Sequence, residues 1–461
     1  MTHAQSASIA GFRGRVLAPR DPGYDDARLV WNGAIDRRPA LIAQCLDAAD
    51  VAAAIRHARE RALVVSIRGG GHGIAGHAVN DGGLVIDLRP MKDVRVDPLR
   101  RVATVEPGVL WGELDAATQA FGLATTGGIV SHTGVAGLTL GGGLGWLMRS
   151  RGITADNLMA ADVVASDGTL LRATSADDPE LLFGLRGAGG NFGVVTRFEF
   201  ALHEIGTTLL AGPIVWAMED APPVLRFYRD FVREAPDELT TIVQFRTLPP
   251  FPLFPPQFHG RKVLQVALVW AGRIADGEHA VEPLRKCGRP LFDLVCPRAY
   301  LTQQSGNDKA VPHGWHYYWK SANVSELDDA TIDTLTERSL AMRSPRSFTI
   351  VFQLGGAIAR VAEHESAYSH RSARYNVNIN AVWCPGEPLA ESETAWAREF
   401  FDRLAPPGAV YVNFLMDEGQ DRVRQAYGAA KYERLVALKA RLDPDNVFRM
   451  NQNIAPPPRV R

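Results

Sequence analysis

The sequence predicts an α+β fold built from more than one domain. At 461 residues the chain is too long for one ordinary core, which holds roughly 100–200 residues. Three glycine-rich stretches, each beside an apolar strand-like run, lie before residue 205, and strands alternate with helices over residues 206–395. The first part is therefore predicted to be a short α/β unit joined to a more β-rich one, and the second an antiparallel sheet with helices.

Composition and charge argue against several classes of protein. With 46% hydrophobic and 22% charged residues, the chain is predicted to be soluble and globular. A formal net charge of −1 gives no electrostatic reason to bind nucleic acid or an anionic membrane. No stretch approaches the ~20 apolar residues of a membrane span, and residues 1–15 carry no leader pattern, so we expect a cytoplasmic protein.

The four cysteines, at positions 45, 287, 296 and 384, show no C-x-x-C spacing. Cys287 and Cys296 could pair, whereas buried free thiols are the more common outcome for scattered cysteines in so long a chain. The sequence leaves this pairing open.

The elements before residue 125 follow from apolar runs and turn signals. Asp50 is predicted to cap a helix that runs to Glu60. Strands are predicted over residues 62–67, 84–88 and 101–105, and a helix over residues 111–121.

Residues 68–77, Arg-Gly-Gly-Gly-His-Gly-Ile-Ala-Gly-His, follow the first of these strands. Three consecutive glycines let a backbone approach a ligand closely, because no Cβ stands in the way. The histidine planted among them, His72, is therefore predicted to contact that ligand.

Two further glycine clusters precede residue 205. Residues 127–145 hold eight glycines interleaved with aliphatic side chains, which is unlike a polar linker and predicts a buried stretch along something flat. Residues 187–193 form the third cluster and lead into a strand that begins at Val194 and Val195.

Later elements are predicted from the same signals. Strands are expected over residues 209–215, 241–246, 263–271, 347–354, 375–383 and 410–414, and helices over residues 329–343 and 420–442. The chain ends with Asn451-Gln452-Asn453 in an apolar setting, which favours hydrogen bonds to a buried polar ligand or to backbone.

Residues 71–76 fit the dinucleotide motif G-x-G-x-x-G after a strand. The motif requires a helix whose N-terminus faces the pyrophosphate. Here residues 77–79 run directly into the turn signal Asn80-Asp81-Gly82-Gly83, which leaves no room for that helix. The context therefore argues against a Rossmann interpretation.

His72 has two other interpretations. A metal site would need partners, but His77 is five residues away and no carboxylate sits at helical spacing beside them, so we predict no metal. A structural histidine in a turn is the default for most histidines, and it is weaker here because the flanking glycines imply a close ligand.

Several motifs in order resemble the berberine bridge enzyme-like FAD-linked oxidases of the vanillyl-alcohol oxidase superfamily. They are Ser66–His72, the stretch 127–145, residues 189–196, residues 411–414 and the terminal asparagines. The resemblance is strongest over residues 26–204 and 410–454. It implies a PCMH-type FAD-binding domain of two α/β subdomains (residues 1–205), a substrate-binding domain with a helix-covered antiparallel sheet (206–409), and a C-terminal segment (410–461) that returns to the FAD domain.

The resemblance also implies how the flavin is held. The histidine that matches His72 is bonded to the flavin 8α-methyl group in this family. Many plant members have a second bond from a cysteine, whose position is Val130 here, so attachment through His72 alone is expected. The full set of expected cofactor residues is Arg68, Gly69, Gly70, Gly71, His72, Gly73, His77, Gly127, Gly128, His132, Thr133, Gly137, Gly141, Gly142, Gly145, Val194, Val195, Asn413, Asn451 and Asn453.

On the substrate side the sequence departs from better-known members. The tyrosine that serves as base in several plant and sugar oxidases aligns with Phe414, and the plant active-site histidine aligns with Leu138. At five other positions where relatives have substrate-side residues, this sequence has Ile74, Leu144, Thr349, Val351 and Gln353. Gln353, Asn378 and Asn380 are expected on the sheet that faces the flavin, and these three with the ionisable Tyr411 are the candidate catalytic residues. Asn378 and Asn380 are two apart and so share one strand face. His132 and Tyr317 are further ionisable candidates.

The resemblance therefore implies an FAD-dependent oxidoreductase that takes a hydride from a small alcohol, phenol, amine or sugar-like molecule onto flavin N5. We expect O2 to be the electron acceptor, with Thr133 at the position that controls its access. The alternatives are a dehydrogenase with another acceptor and a catalytically silent flavin or small-molecule binding protein. A monomer or a homodimer is expected.

Overall fold

The computed structural model describes residues 8–404 and 410–458. Parts of three predicted segments lie outside these ranges: the start of residues 1–15, the end of the substrate-binding domain and the end of the C-terminal segment.

The strands and helices are numbered in chain order. The strands are β1 Arg15–Leu17, β2 Leu41–Gln44, β3 Val65–Arg68, β4 Leu84–Asp87, β5 Val94–Asp97, β6 Val102–Val105, β7 Leu123–Ala124, β8 Leu158–Val164, β9 Leu170–Ala173, β10 Val194–Ala201, β11 His203–Glu204, β12 Thr208–Ala217, β13 Leu239–Thr247, β14 Lys262–Trp270, β15 Phe292–Asp293, β16 Cys296–Ala299, β17 His316–Val324, β18 Phe348–Gln353 and β19 Tyr375–Trp383. The helices are α1 Tyr24–Arg28, α2 Ala48–Glu60, α3 Trp111–Gln119, α4 Val135–Leu140, α5 Met148–Arg151, α6 Pro179–Leu185, α7 Ala221–Arg233, α8 Ile274–Arg285, α9 Tyr300–Gln304, α10 Asp329–Leu340, α11 Ala357–Arg360, α12 Ala390–Leu404, α13 Gln420–Tyr427 and α14 Ala429–Leu442.

Two sheets and a short strand pair come from the first 204 residues. The first sheet has the order β1-β2-β4-β3, in which β4 is parallel to both β2 and β3. The second is antiparallel, in the order β5-β6-β10-β8-β9, and β7 pairs with β11. The predicted α+β class is confirmed, with a small parallel unit joined to a larger antiparallel one.

The largest sheet is antiparallel, in the order β15-β12-β14-β13-β18-β19-β17, with β16 against β12. One face packs on helices α7, α10 and α12 through a core that includes Val243, Val351 and Val377. The opposite face carries Ile242, Ile350 and Phe352, which pack toward Trp146 and Tyr411. Because side chains alternate along a strand, consecutive residues of these strands serve different cores.

Helix α2 begins one turn earlier than predicted, so the prediction that Asp50 caps it is wrong. Asp47 caps it, accepting hydrogen bonds from Ala49 N at 3.0 Å and Asp50 N at 3.1 Å. Asp50 is buried in the first turn instead, where it accepts from the backbone N–H groups of Arg13 and Gly14 at 2.8 and 3.1 Å. It therefore ties the N-terminal segment to this helix.

Two predictions near the C-terminus are corrected. Residues 410–414 do not form a strand: Val412–Phe414 form a 3₁₀ turn. The helix predicted over residues 420–442 is interrupted at Gly428, whose φ of 72° lies in the left-handed region that glycine adopts readily, and it becomes α13 and α14.

The four cysteines are free, so the possible Cys287–Cys296 disulfide is not formed. Among the described residues no helix is both long and apolar enough to cross a membrane.

A buried ion pair joins the end of α14 to the third glycine cluster. Lys439 and Asp443 are both fully buried, with Nζ 2.7 Å from the carboxylate. Lys439 Nζ also donates to the carbonyl oxygens of Asn191 and Phe448, each at 2.8 Å. Since burial lowers the pKa of Lys439, its charge depends on these partners.

We predict that Asp443→Asn lowers the free energy of unfolding by about 3–5 kcal/mol, because it leaves a buried ammonium without its counter-ion. Urea denaturation followed by tryptophan fluorescence measures this. Glu282→Gln is the matched control, since Glu282 and Lys286 form an ion pair at the same i,i+4 spacing on the surface. Equal unfolding midpoints for the two variants would contradict the prediction.

Candidate active site

A cavity of about 340 Å³ lies between the glycine loops of the first 204 residues and the face of the large sheet opposite its helices. The C-terminal return segment, through residues 411–415 and 450–452, completes its wall. This volume is within the range of roughly 300–1,000 Å³ that is typical of small-molecule and cofactor sites.

The first two glycine stretches touch backbone to backbone at the cavity wall. A Cβ on Gly70 would lie 2.6 Å from Gly134 N, and a Cβ on Gly134 would lie 2.5 Å from Gly70 N. Either distance is too short for a real side chain. Glycine is therefore required at both positions, so that two loops from separate parts of the sequence can meet.

Arg68 anchors the first loop from behind. Its guanidinium donates hydrogen bonds to the carbonyl oxygens of Ala27 and Leu29, and it does not line the cavity. Burial, followed by the nearby charge of Arg89, lowers the pKa of Arg68 to about 10, so the side chain stays cationic at neutral pH.

His72 is held by an aromatic stack. Its ring lies on the indole of Trp31 with centroids 4.2 Å apart and planes 16° apart, and Trp31 stacks in turn on Tyr317 at 3.8 Å. Trp31 N donates to Gly71 O at 3.0 Å, which fixes the indole beside the loop. Tyr317, an ionisable candidate from the sequence, therefore lies behind Trp31, and burial raises its pKa.

Three imidazoles cluster at this point. The His72 ring lies 5.1 Å from that of His132 and 6.3 Å from that of His313. Burial is the main cause, and these two histidines the next, of a pKa for His72 well below its ordinary value. His72 is therefore neutral at physiological pH, and its Nε2 has no partner among the described residues. Among the residues that the structure describes, no group of three or more histidine, cysteine, aspartate or glutamate side chains is placed to hold a metal ion.

Three glycines leave open space in the cavity. A Cβ on Gly73, Gly137 or Gly189 would meet no atom of the described residues within 4 Å. Gly73 and Gly189 lie in loops, and Gly137 lies in the middle of α4. These backbones are therefore exposed to whatever fills the cavity.

Hydrogen bonds hold the return segment against the second glycine stretch. Asn413 Nδ2 donates to Leu138 O at 3.0 Å and to the Tyr411 hydroxyl oxygen at 2.8 Å. Gly143 N donates to the same hydroxyl oxygen at 2.7 Å. Burial raises the pKa of Tyr411 to about 12, so this tyrosine is a protonated hydrogen-bonding group near neutral pH.

The expected cofactor residues fall into two groups. Those that line the cavity are Gly69, Gly70, Gly71, His72, Gly73, His77, Gly128, Thr133, Gly137, Val195, Asn413 and Asn451. Those that lie behind its wall are Arg68, Gly127, His132, Gly141, Gly142, Gly145, Val194 and Asn453.

The second group has other roles in packing. A Cβ on Gly141 would clash with the side chain of Asn413, and one on Gly142 would lie 2.8 Å from the ring of Tyr368. Gly145 packs in the same way against the backbone of Gly127. Val194 points into the core of the parallel unit, opposite Val195, because β10 alternates its side chains.

The sheet side of the cavity is formed by two cross-strand rows, one over β13, β18, β19 and β17 and the other over β13, β18 and β19. The arginine row consists of Arg246, Phe348, Asn380 and Trp319, and the glutamine row of Gln244, Ile350 and Asn378. All seven side chains line the cavity. Asn378 and Asn380 therefore share the cavity face as predicted, and Asn380 Oδ1 is buried without a partner among the described residues.

The prediction that Gln353 faces the cavity is wrong. Gln353 is two residues from Val351, so the two side chains lie on the same face of the sheet. Val351 belongs to the core on the helical side. Its Oε1 accepts from Thr241 Oγ1 at 2.6 Å, and its Nε2 donates to Val232 O at 3.4 Å. The alternate residues Phe348, Ile350 and Phe352 take the cavity face.

Sequence reasoning missed Trp31, Gln244 and Arg246. Gln244 and Arg246 are polar residues two apart in a strand that is otherwise mostly apolar, which is the same signal that identified Asn378 and Asn380. Trp31 carries no local signal, because its partners come from residues 71–72 and 311–319.

Two family models match the chain. "FAD binding domain" matches residues 39–174, and "Berberine and berberine like" matches residues 410–455. These regions supply the first two glycine stretches and the return segment.

The chain is 31% identical to (R)-6-hydroxynicotine oxidase of Paenarthrobacter nicotinovorans, over 98% of both chains. The chain belongs to the berberine bridge enzyme-like family of FAD-linked oxidoreductases. An FAD-linked oxidoreductase of Dictyostelium discoideum is 30% identical, over 92% of this chain and 91% of that one.

Solved structures agree with this family. The crystal structure of 6-hydroxy-D-nicotine oxidase from Arthrobacter nicotinovorans superposes with a TM-score of 0.88 at 30% identity, covering 97% of this chain and 98% of that one. The BBE-like 1 protein of Physcomitrella patens superposes with a TM-score of 0.85 at 22% identity, covering 95% and 96%. This second likeness is one of fold alone.

The residues present fit the FAD of this berberine bridge enzyme-like family. Buried polar atoms without a partner among the described residues surround the cavity, including His72 Nε2, both ring nitrogens of His77 and Asn451 Oδ1. Such atoms are costly unless a ligand or water satisfies them. The open glycine backbones lie beside them, so the cavity offers both space and hydrogen-bonding groups.

We predict that Gly137→Ala reduces the flavin content below half of wild type, because the new methyl group enters the cavity. The fold is expected to remain, since alanine favours a helix over glycine and meets no protein atom here. The ratio of flavin to protein absorbance after gel filtration, together with the melting temperature, measures both effects.

Gly306→Ala is the control for this substitution. Gly306 is exposed after α9 and does not itself line the cavity, so this variant should keep its flavin. Full flavin content in Gly137→Ala would contradict the prediction.

Proposed function

We propose that this FAD-linked oxidoreductase carries its flavin on a single covalent bond from His72 and oxidises a small alcohol, phenol, amine or sugar-like molecule, with O2 as the electron acceptor. The observation that carries the proposal is the state of His72. It is neutral, stacked on Trp31 and left with an unpartnered Nε2 at the wall of the cavity.

A neutral, oriented imidazole suits attachment to carbon. The ring retains a nitrogen lone pair because its pKa is well below the ordinary value. The stack with Trp31 fixes the plane of the ring, so this lone pair keeps one direction.

Attachment at one point only is supported by Val130. Its side chain lines the cavity at the position where plant relatives have a cysteine, and an aliphatic side chain forms no second bond. None of the four cysteines, all in the described part of the chain, lines the cavity.

The glycine backbones at residues 69–73 and 128–137 and the side chains of Asn413 and Asn451 would hold the cofactor. A bound flavin accepts a hydride from a C–H bond next to oxygen or nitrogen and passes the electrons to a second acceptor. Trp319, Phe348 and Phe352 exclude water from the space over the sheet.

The polar groups at the sheet orient a substrate without removing a proton from it. Asn378 and Asn380 are amides, and Tyr411 remains protonated. No carboxylate or lysine is among the described residues that line the cavity. The substrates that this set suits best have a proton that is already acidic, as in a phenol or an activated alcohol.

O2 as acceptor is supported by Thr133. It lines the cavity where relatives control oxygen access, and its short side chain leaves space beside the first glycine loop. A dehydrogenase with another acceptor and a silent binding protein are the outcomes against which O2 reduction must be tested.

We predict that acid precipitation of the wild-type protein gives a yellow pellet, because the bond to His72 survives denaturation. His72→Ala should release its flavin into the supernatant. His77→Ala is the control: this histidine lies in the same loop and lines the same cavity, yet its pellet should stay yellow. A colourless wild-type pellet would overturn the covalent attachment.

We also predict that anaerobic mixing with at least one small phenol or activated alcohol bleaches the flavin. Air should then restore the flavin colour at a rate no slower than steady-state turnover. Stopped-flow absorbance measures both steps. Slow recovery in air would indicate a dehydrogenase, and absence of bleaching by the whole substrate panel would indicate a binding protein.

A further inference from the structure

Among the described residues that line the cavity, Arg246 is the one residue that is a lysine, an arginine, an aspartate or a glutamate. It lies at one end of the arginine row, directly opposite Phe348 of β18 and two strands from Asn380. Its side chain is partly exposed, and it lines the cavity.

This guanidinium has no protein partner in residues 8–404 and 410–458. No hydrogen bond or ion pair is formed by its side chain, and Nε is fully buried and unsatisfied. Burial alone lowers the pKa of Arg246 to about 10, with no carboxylate near enough to raise it. The group is therefore a cation at neutral pH that the fold does not neutralise.

By contrast, the guanidinium groups of two buried arginines of this chain have protein partners. Arg149 donates to Leu239 O at 2.8 Å and to Leu354 O at 2.6 Å. Arg371 pairs with Asp156 at 2.6 Å. A molecule that fills the cavity displaces water from this unpaired charge, which is costly unless that molecule brings an anion to Arg246.

The surroundings of Arg246 suit a planar anion on an apolar body. Phe348 and Ile350 provide apolar surface next to it, and Gln244 lies two residues away on the same strand face. Gln244 Oε1 accepts from Gln265 Nε2 at 3.2 Å, which leaves the Gln244 amide nitrogen as a second donor. A guanidinium matches the two oxygens of a carboxylate.

We propose that Arg246 binds a carboxylate of the substrate, so that among the alcohols, phenols and amines of the proposed function the enzyme prefers small, flat molecules that also carry a carboxylate. This inference rests on the proposed function in one respect only, that the space over the sheet receives the substrate. The carboxylate is a binding group here and takes no part in the oxidation, so Arg246 is a specificity residue.

The anion of the cofactor has a separate place in the proposed arrangement. The glycine backbones that would hold the pyrophosphate belong to residues before 205, whereas Arg246 lies on β13 of the large sheet. If Arg246 served the cofactor instead, its loss would lower flavin content, which is measured separately below.

The test is a binding experiment with the oxidised holoenzyme, so it requires no turnover. The probes are benzoate, phenylacetate and 3-phenylpropionate, each compared with its uncharged amide by calorimetry and by the change in flavin absorbance. We expect wild type to bind at least one acid about tenfold or more tightly than its amide, since a hydrogen bond to a charged group contributes on this scale.

Arg246→Gln should bring the ratio of acid to amide affinity close to one and leave the affinity for the amide unchanged. Arg246→Lys should restore part of the ratio, because it keeps the charge and loses the two-pronged geometry. Arg261→Gln is the control, since Arg261 is exposed in the turn before β14 and should keep the wild-type ratio.

Three results would overturn the proposal: no preference for any acid in wild type, including no binding of any probe; an unchanged preference in Arg246→Gln; or loss of flavin from that variant. Failure of the proposed function looks different. A colourless wild-type pellet or a flavin that no substrate reduces would leave the acid preference measurable and intact.

Discussion

The cavity depends on one close contact, in which the backbones of Gly70 and Gly134 touch. These residues belong to loops that are 64 positions apart in sequence, and a Cβ on either would separate the loops. Their contact brings the loop that carries His72 beside α4, so that one wall of the cavity is made from two segments. The remaining glycines divide into those that leave space for a ligand and those that let a neighbouring side chain pack closely.

A second constraint orients His72 within that wall. Trp31 stacks on its ring, donates to the adjacent Gly71 carbonyl and stacks on Tyr317 of β17. Asn32 strengthens the same connection through a 3.0 Å hydrogen bond to Tyr317 O. The loop that carries His72 and the large sheet are therefore held in one arrangement by stacking and hydrogen bonds.

The walls of the cavity differ in chemistry. On the loop side, neutral imidazoles, backbone groups and asparagine side chains surround His72, and burial keeps these imidazoles uncharged. On the sheet side, apolar rings alternate with amides and end in the unpaired guanidinium of Arg246. The first set suits a cofactor with many hydrogen-bonding atoms. The second suits an apolar molecule with one anionic group.

The sequence determined most of the strands, the three glycine clusters and the shared face of Asn378 and Asn380, because backbone periodicity and glycine chemistry are local properties. Tertiary structure decided which face of each strand meets the cavity. It turned Gln353 toward the helices and Arg246 toward the cavity, and it placed Gly141 beneath Asn413 while leaving Gly137 open. Periodicity states only that alternate side chains lie on opposite faces. The layers packed on each face determine which of them is buried in the core and which contacts a ligand.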